Sequence, residues 1–153
     1  MPLTLTSPAF ADGETIPAKF TCEGANVSPS FSWSGVPEGT KSFALACVDP
    51  DAPGGVFHHW AIFNLPADLD GLAEGVDAAG LGAREAVTDF RKPGYGGPCP
   101  PPGHGTHHYH FRLYALDVAR LGLHAQTECR AVIDAAEDAA IETAELVGLY
   151  ERT

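Results

Sequence analysis

The stretch that decides the reading is Gly97-Pro98-Cys99-Pro100-Pro101-Pro102-Gly103-His104-Gly105-Thr106-His107-His108-Tyr109, continued without a break by His110-Phe111-Arg112-Leu113-Tyr114-Ala115-Leu116-Asp117. Proline fixes φ at about −65° and drives the residue before it to extended geometry, so Pro98 and Pro100 to Pro102 hold one shape with little entropy to lose on binding. Such stiffness suits a pocket wall; a solvated polyproline turn is the plainer reading of the same residues. From His107 to Asp117 the pattern is that of a strand. By parity His107, Tyr109, Phe111, Leu113 and Ala115 share one face, and His108, His110, Arg112, Tyr114 and Leu116 the other.

Working outward, Ser42 to Val48 is a near-continuous apolar run of strand length, which predicts a central strand buried on both faces. It stops at Asp49-Pro50-Asp51-Ala52-Pro53-Gly54-Gly55. Phe57 to Asn64 follows after a short Gly-rich connection, which predicts an antiparallel neighbour. Further strands are expected at residues 2 to 7, at Phe31 to Ser34 and, shorter, at Pro17 to Thr21. Leu65 to Val87, with Pro66, scattered glycines and acidic residues, reads as a surface connection with at most one helical turn near Leu69 to Ala73. Thr127 is a candidate N-cap for a helix carrying Val132, Ala135, Ala136 and Ala139 on one side.

Length and charge bound the rest. At 153 residues, 44% hydrophobic and 19% charged, the chain is expected to form one domain over 1–153. A formal charge of −11 argues against nucleic acid and against anionic membrane surfaces, since both need a basic face. Any anionic ligand must then be held by a local device. No run approaches the roughly 20 apolar residues of a membrane span, and Met1-Pro2-Leu3-Thr4-Leu5 has neither a basic n-region nor an apolar h-region; the expectation is a soluble cytoplasmic protein. Cys22, Cys47, Cys99 and Cys129 form no CxxC pair, which leaves no zinc knuckle or thioredoxin-type motif. Reduced thiols are expected, with Cys22 and Cys47 as buried small hydrophobes.

The chemistry concentrates in two places. Asp49 and Asp51 stand at the end of a buried strand on a backbone pinned by Pro50 and Pro53, and carboxylates there must face water or find cationic partners. The histidines of 58 to 59 and 107 to 110 are the partners on offer. A carboxylate on one ring nitrogen fixes the tautomer and leaves the other nitrogen free to meet a ligand. Each half also has a plainer reading: Asp-Pro-Asp is a good turn, and a lone His59 in an apolar strand can be a satisfied core residue.

Asp49-Pro50-Asp51-Ala52-Pro53 with His59-Trp60, and Gly97-Pro98-Cys99-Pro100-Pro101 with His107-His108-Tyr109-His110-Phe111-Arg112-Leu113-Tyr114, resemble the two signature regions of the phosphatidylethanolamine-binding protein (PEBP) family, which includes Raf kinase inhibitor protein and its small bacterial relatives. Weaker likeness runs through Phe20 to Gly24, Ser28-Pro29, Trp33, Val36 to Thr40 and Ala144 to Tyr150. The resemblance implies a mainly β, PEBP-like fold, a large central antiparallel sheet packed on a smaller sheet with one or two short helices. It also implies an anion pocket at one end of the large sheet. Carried over position by position, Asp49, Asp51, Pro53 and His59 match the first signature's pocket residues, and Pro101, His107 and Tyr109 the second's. Cys99 stands where many relatives have glycine. Residues past Glu137 look helical by propensity, yet the family implies a strand over 140 to 150. Only Gly54 to His58 separates the first signature from His59, and no C-terminal extension follows, so the bacterial branch is the closer match and kinase docking is not carried over.

The expected function is a small-ligand binding module for phosphate- or carboxylate-bearing groups, with no enzyme activity, cofactor or metal. The alternatives are an inhibitor or interaction protein acting on a kinase or protease through the pocket rim, and a Cys99/His107 hydrolase. Neither nucleic acid nor integral membrane association is expected. Homodimerisation and a protein target stay open, and the X-Pro bonds are expected to be trans.

Overall fold

A computed structural model describes residues 2 to 153. The element order is β1 (Thr4–Thr6), β2 (Phe31–Ser34), β3 (Ser42–Asp49), β4 (Phe57–Pro66), β5 (Gly71–Leu72), β6 (Arg84–Glu85), β7 (His107–Leu116), α1 (Cys129–Ala139) and β8 (Ala140–Tyr150). They form two antiparallel sheets, a small one in the order β1-β2-β5 and a large one in the order β6-β4-β3-β7-β8. β3 lies in the middle with all eight residues buried, as its unbroken apolar run requires.

The two faces of the large sheet are built from different side chains. Phe43, Leu45, Cys47, Trp60, Ile62, Tyr109, Phe111 and Leu113 meet Leu5, Phe31 and Trp33 of the small sheet, and Leu3 just before β1, in the main core. The opposite parity, Ala44, Ala46, Ala61, Phe63, Tyr114 and Leu116, meets Cys129, Val132 and Ala136 of α1. Alanines on that face let the helix come close; aromatics on the other fill the space between sheets. A register shift between Phe43 and Leu45, opposite Asn64 at φ 60°, returns Leu65 to the main core, and Asn64 Oδ1 accepts the Leu121 N–H at 2.8 Å.

Several expectations need correcting. Pro17 to Thr21 is not a strand: Ala18–Phe20 is a 3₁₀ turn, closed by the Thr21 N–H on the Ala18 carbonyl. Residues 65 to 87 are more ordered than their composition suggests. They hold the end of β4, then β5 and β6, with a 3₁₀ turn at Ala79–Leu81 in place of a helical turn at 69 to 73. The N-cap of α1 is Glu128, with no side-chain cap, while Thr127 is buried with its Oγ1 unpartnered. The strand over 140 to 150, against helical propensity, is present along the full length of β7.

The cysteine expectation also fails. Cys22 and Cys99 form a disulfide with Cα atoms 5.4 Å apart, and Cys22 is exposed. Spacing in sequence could not reveal it, because the two meet through a backbone dock. The Cys22 N–H donates to the Pro98 carbonyl, Gly97 N–H to Asn26 Oδ1, and Tyr95 Oη to the Phe20 carbonyl. A Cβ on Gly97 would stand 2.1 Å from the Phe20 oxygen, so only glycine permits this approach. Cys47 and Cys129 remain free and buried, as expected for Cys47.

Candidate functional site

At one end of the large sheet, the last residue of β3 and the first residues of β4 and β7 enclose a cavity of about 190 Å³. Its floor is Asp49, His59, His107 and Tyr109, and its walls include Pro53, Phe57, Phe90, Cys99, Pro100 and Pro101. Seven of the eight residues singled out from sequence are therefore here. Asp51 is the exception: it lies outside the cavity, its side chain 39% exposed and paired with His108.

The buried floor is tightly bonded. His107 donates its Nδ1–H to Asp49 Oδ2 at 2.6 Å, and the Asp51 N–H donates to Asp49 Oδ1 at 2.8 Å. Both carboxylate oxygens of a residue only 2% exposed are thus satisfied, which offsets its burial. His107 Nε2 stands 2.6 Å from Nδ1 of the exposed His104. His59 has no carboxylate partner, contrary to expectation. It donates Nδ1–H to the Gly96 carbonyl at 2.7 Å, which leaves Nε2 as an acceptor, and burial lowers its pKa and keeps the ring neutral. The Tyr109 hydroxyl is buried without a partner, and burial followed by the nearby Asp49 raises its pKa, so it stays a donor.

Two carboxylates clasp the strands that enter the site. Asp51 Oδ2 accepts from both the backbone N–H and Nδ1 of His108, at 2.8 and 2.7 Å. Asp89 Oδ2 accepts the corresponding pair from His58, at 2.7 and 2.9 Å. Each ties a flanking loop to the second residue of a strand. The Asp51 carboxyl is held below the usual range chiefly by its bond to His108.

Sequence reasoning missed the aromatic wall. Phe57 packs on His59 with ring centroids 4.8 Å apart and on Phe90 at 4.7 Å. Phe57 could have been found by parity, since it shares a strand face with His59. Phe90 could not: a tight turn places it, with Thr88 Oγ1 accepting the Phe90 N–H, Arg91 at φ 69°, and the ring lying against Gly96. No cis peptide bond occurs among the described residues.

A mainly β sandwich of a large and a small antiparallel sheet, with an Asp/His/Tyr cavity at the strand ends, defines a class of ligand-binding proteins. Residues 6–151 match the family described as phosphatidylethanolamine-binding protein, and the chain belongs to it. It is 46% identical over 153 residues to a UPF0098 protein of Methanothermobacter thermautotrophicus, covering 98% of this chain and 99% of that one. It is 43% identical over 150 residues to LppC of Mycobacterium tuberculosis, whose name proposes a lipoprotein, covering 98% of this chain and 73% of that one. Among solved structures it resembles Escherichia coli YbcL, described as a member of the mammalian PEBP family, with a TM-score of 0.94, 36% identity and full coverage of both chains.

Proposed function

We propose that the protein is a binding module for small ligands bearing a phosphate or carboxylate group. The observation that carries the reading is the buried, partnerless Tyr109 hydroxyl beside an Asp49-oriented His107, in a cavity walled by prolines. A polar floor held in place by Asp49 and Gly96 and a wall of prolines leave little backbone to reorganise on binding. His59 Nε2 adds an acceptor, which suits a group that carries its own proton, such as a phosphomonoester monoanion. No catalytic step is proposed. The hydrolase alternative needs a Cys99 thiolate, and that sulfur is bonded to Cys22. An interaction role at the rim gains support from Phe90, a cavity-lining ring 36% exposed, and from Val56, 55% exposed and next in sequence to the lining Phe57. The disulfide favours an oxidising compartment over the cytoplasm expected from sequence, and no helix is long and apolar enough to cross a membrane among the described residues.

The test is a histidine side-chain NMR titration with inorganic phosphate, on the parent and on Tyr109→Phe. Saturable shifts at His59 and His107, with binding weakened about tenfold in the variant, are expected. No shift at either ring would overturn the reading.

A further inference from the structure

His107 has two ring nitrogens and both are engaged, Nδ1 by Asp49 and Nε2 by His104. An N···N contact of 2.6 Å holds one proton between the two rings, because one nitrogen must donate and the other accept. The contact therefore tolerates at most one charged ring. His107 is 1% exposed and fixed by Asp49, whereas His104 is exposed in the loop after the proline wall, so His104 is the ring that can move.

We propose that His104 is a displaceable cap on the anion site: an incoming anion replaces it on His107 Nε2, and His104 turns to become a second donor to the same anion. This rests on the anion-binding reading of the cavity. Seated between the rings, an anion needs a proton on each of the two facing nitrogens, one more than the N···N contact holds. Binding is then coupled to proton uptake. The charged and titratable groups around the pair are Asp49 at the end of β3, Asp51 just after it, His59 of β4, His108 and Tyr109 of β7, and Tyr150 of β8, which stands opposite His107 in register and donates its hydroxyl to Glu23. Arg152 and Glu23 lie on the outer side, where the Arg152 carbonyl accepts the Gly103 N–H. Asp51 is already committed to His108 and Asp49 to His107, which leaves the pair itself to take the extra proton.

His104→Asn tests this, because the Asn amide can stand where Nδ1 stands and cannot be protonated. Calorimetry with inorganic phosphate, at one pH of about 7 in buffers of different ionisation heat, counts the protons taken up on binding. The titration of phosphate itself is common to both proteins, so the difference between them reports His104. The parent should take up more protons than His104→Asn, by about half a proton or more per phosphate bound. Phosphate binding with equal proton counts in the two proteins would overturn the cap and leave the anion site standing. Absence of phosphate binding in the parent would overturn the anion site and the cap with it.

Discussion

His59 donates its Nδ1–H to the Gly96 carbonyl, and burial lowers its pKa below the ordinary value. The folded ring thus binds a proton less readily than the unfolded chain does. The stability that depends on the neutral ring is complete above about pH 6.5 and is lost as the pH falls from there toward the lowered folded value. His59→Asn keeps a donor for Gly96 and does not titrate, so urea midpoints measured from about pH 7.5 down to about pH 5 should fall less steeply than in the parent. Equal slopes would assign the acid loss to another group. Asp49 gives a larger effect at constant pH. Asp49→Ala strands the His107 and Asp51 N–H donors, and should cost about 1–3 kcal/mol in urea unfolding at neutral pH. At this scale sequence was informative where a residue type and its position agreed: Asp49 follows from a charged strand end and His107 from the imidazole cluster opposite it, whereas Tyr109 entered the site only through the family likeness. It was silent where a backbone carbonyl is the partner, as for His59, since every residue carries one.

The clasps and the disulfide act on whole elements. The folded Asp51 carboxyl titrates below its unfolded value, so its contribution is present above about pH 4 and lost as the pH drops through the folded value. With both partners well exposed, Asp51→Asn should cost less than about 1 kcal/mol at neutral pH and flatten the acid limb of the unfolding curve. The Cys22–Cys99 bond closes a sequence separation of 77 residues, and its reduction should lower stability by about 2–4 kcal/mol in denaturant unfolding. Alkylation of the denatured, unreduced protein should label Cys47 and Cys129 alone. A third element-scale constraint is Gly148 on β8, where an added Cβ would stand 2.4 Å from Ile16 and 2.8 Å from Phe10. Gly148→Ala should destabilise by about 1–3 kcal/mol through overpacking, read as a lowered thermal midpoint. Long strands were legible because a period-2 or fully apolar pattern runs over many residues. The two-residue strands β5 and β6 carry no such pattern. They exist because their neighbours leave edges to pair, and Glu85 also accepts the Trp60 indole N–H.

For the whole molecule, the sandwich depends on how its outer edge is closed. β8 is an edge strand of eleven residues, and the segment after β1 covers it. The Gly13 and Ile16 N–H groups donate to the Val147 and Leu149 carbonyls, the Leu149 N–H to Glu14, and the Val147 N–H to Asp12. On the same strand Glu142 accepts the Leu3 N–H and Glu145 pairs with Arg112 of β7. That closure brings sequence-distant residues together, which is why the architecture followed from the family likeness rather than from local pattern.

It also fixes where Leu3 and Arg152 lie. Near the start of β8, Leu3 N–H donates to Glu142, whereas Tyr150 pairs with His107 and Arg152 reaches the Cys99 sulfur and the Pro100 carbonyl. Eight residues of strand separate those two points, about 26 Å at 3.3 Å per residue. Tethered to a sensor surface by its first residues, the molecule would hold its cavity toward the solution. Tethered by its last, it would press the cavity mouth against the support, and the same ligand would read as a non-binder.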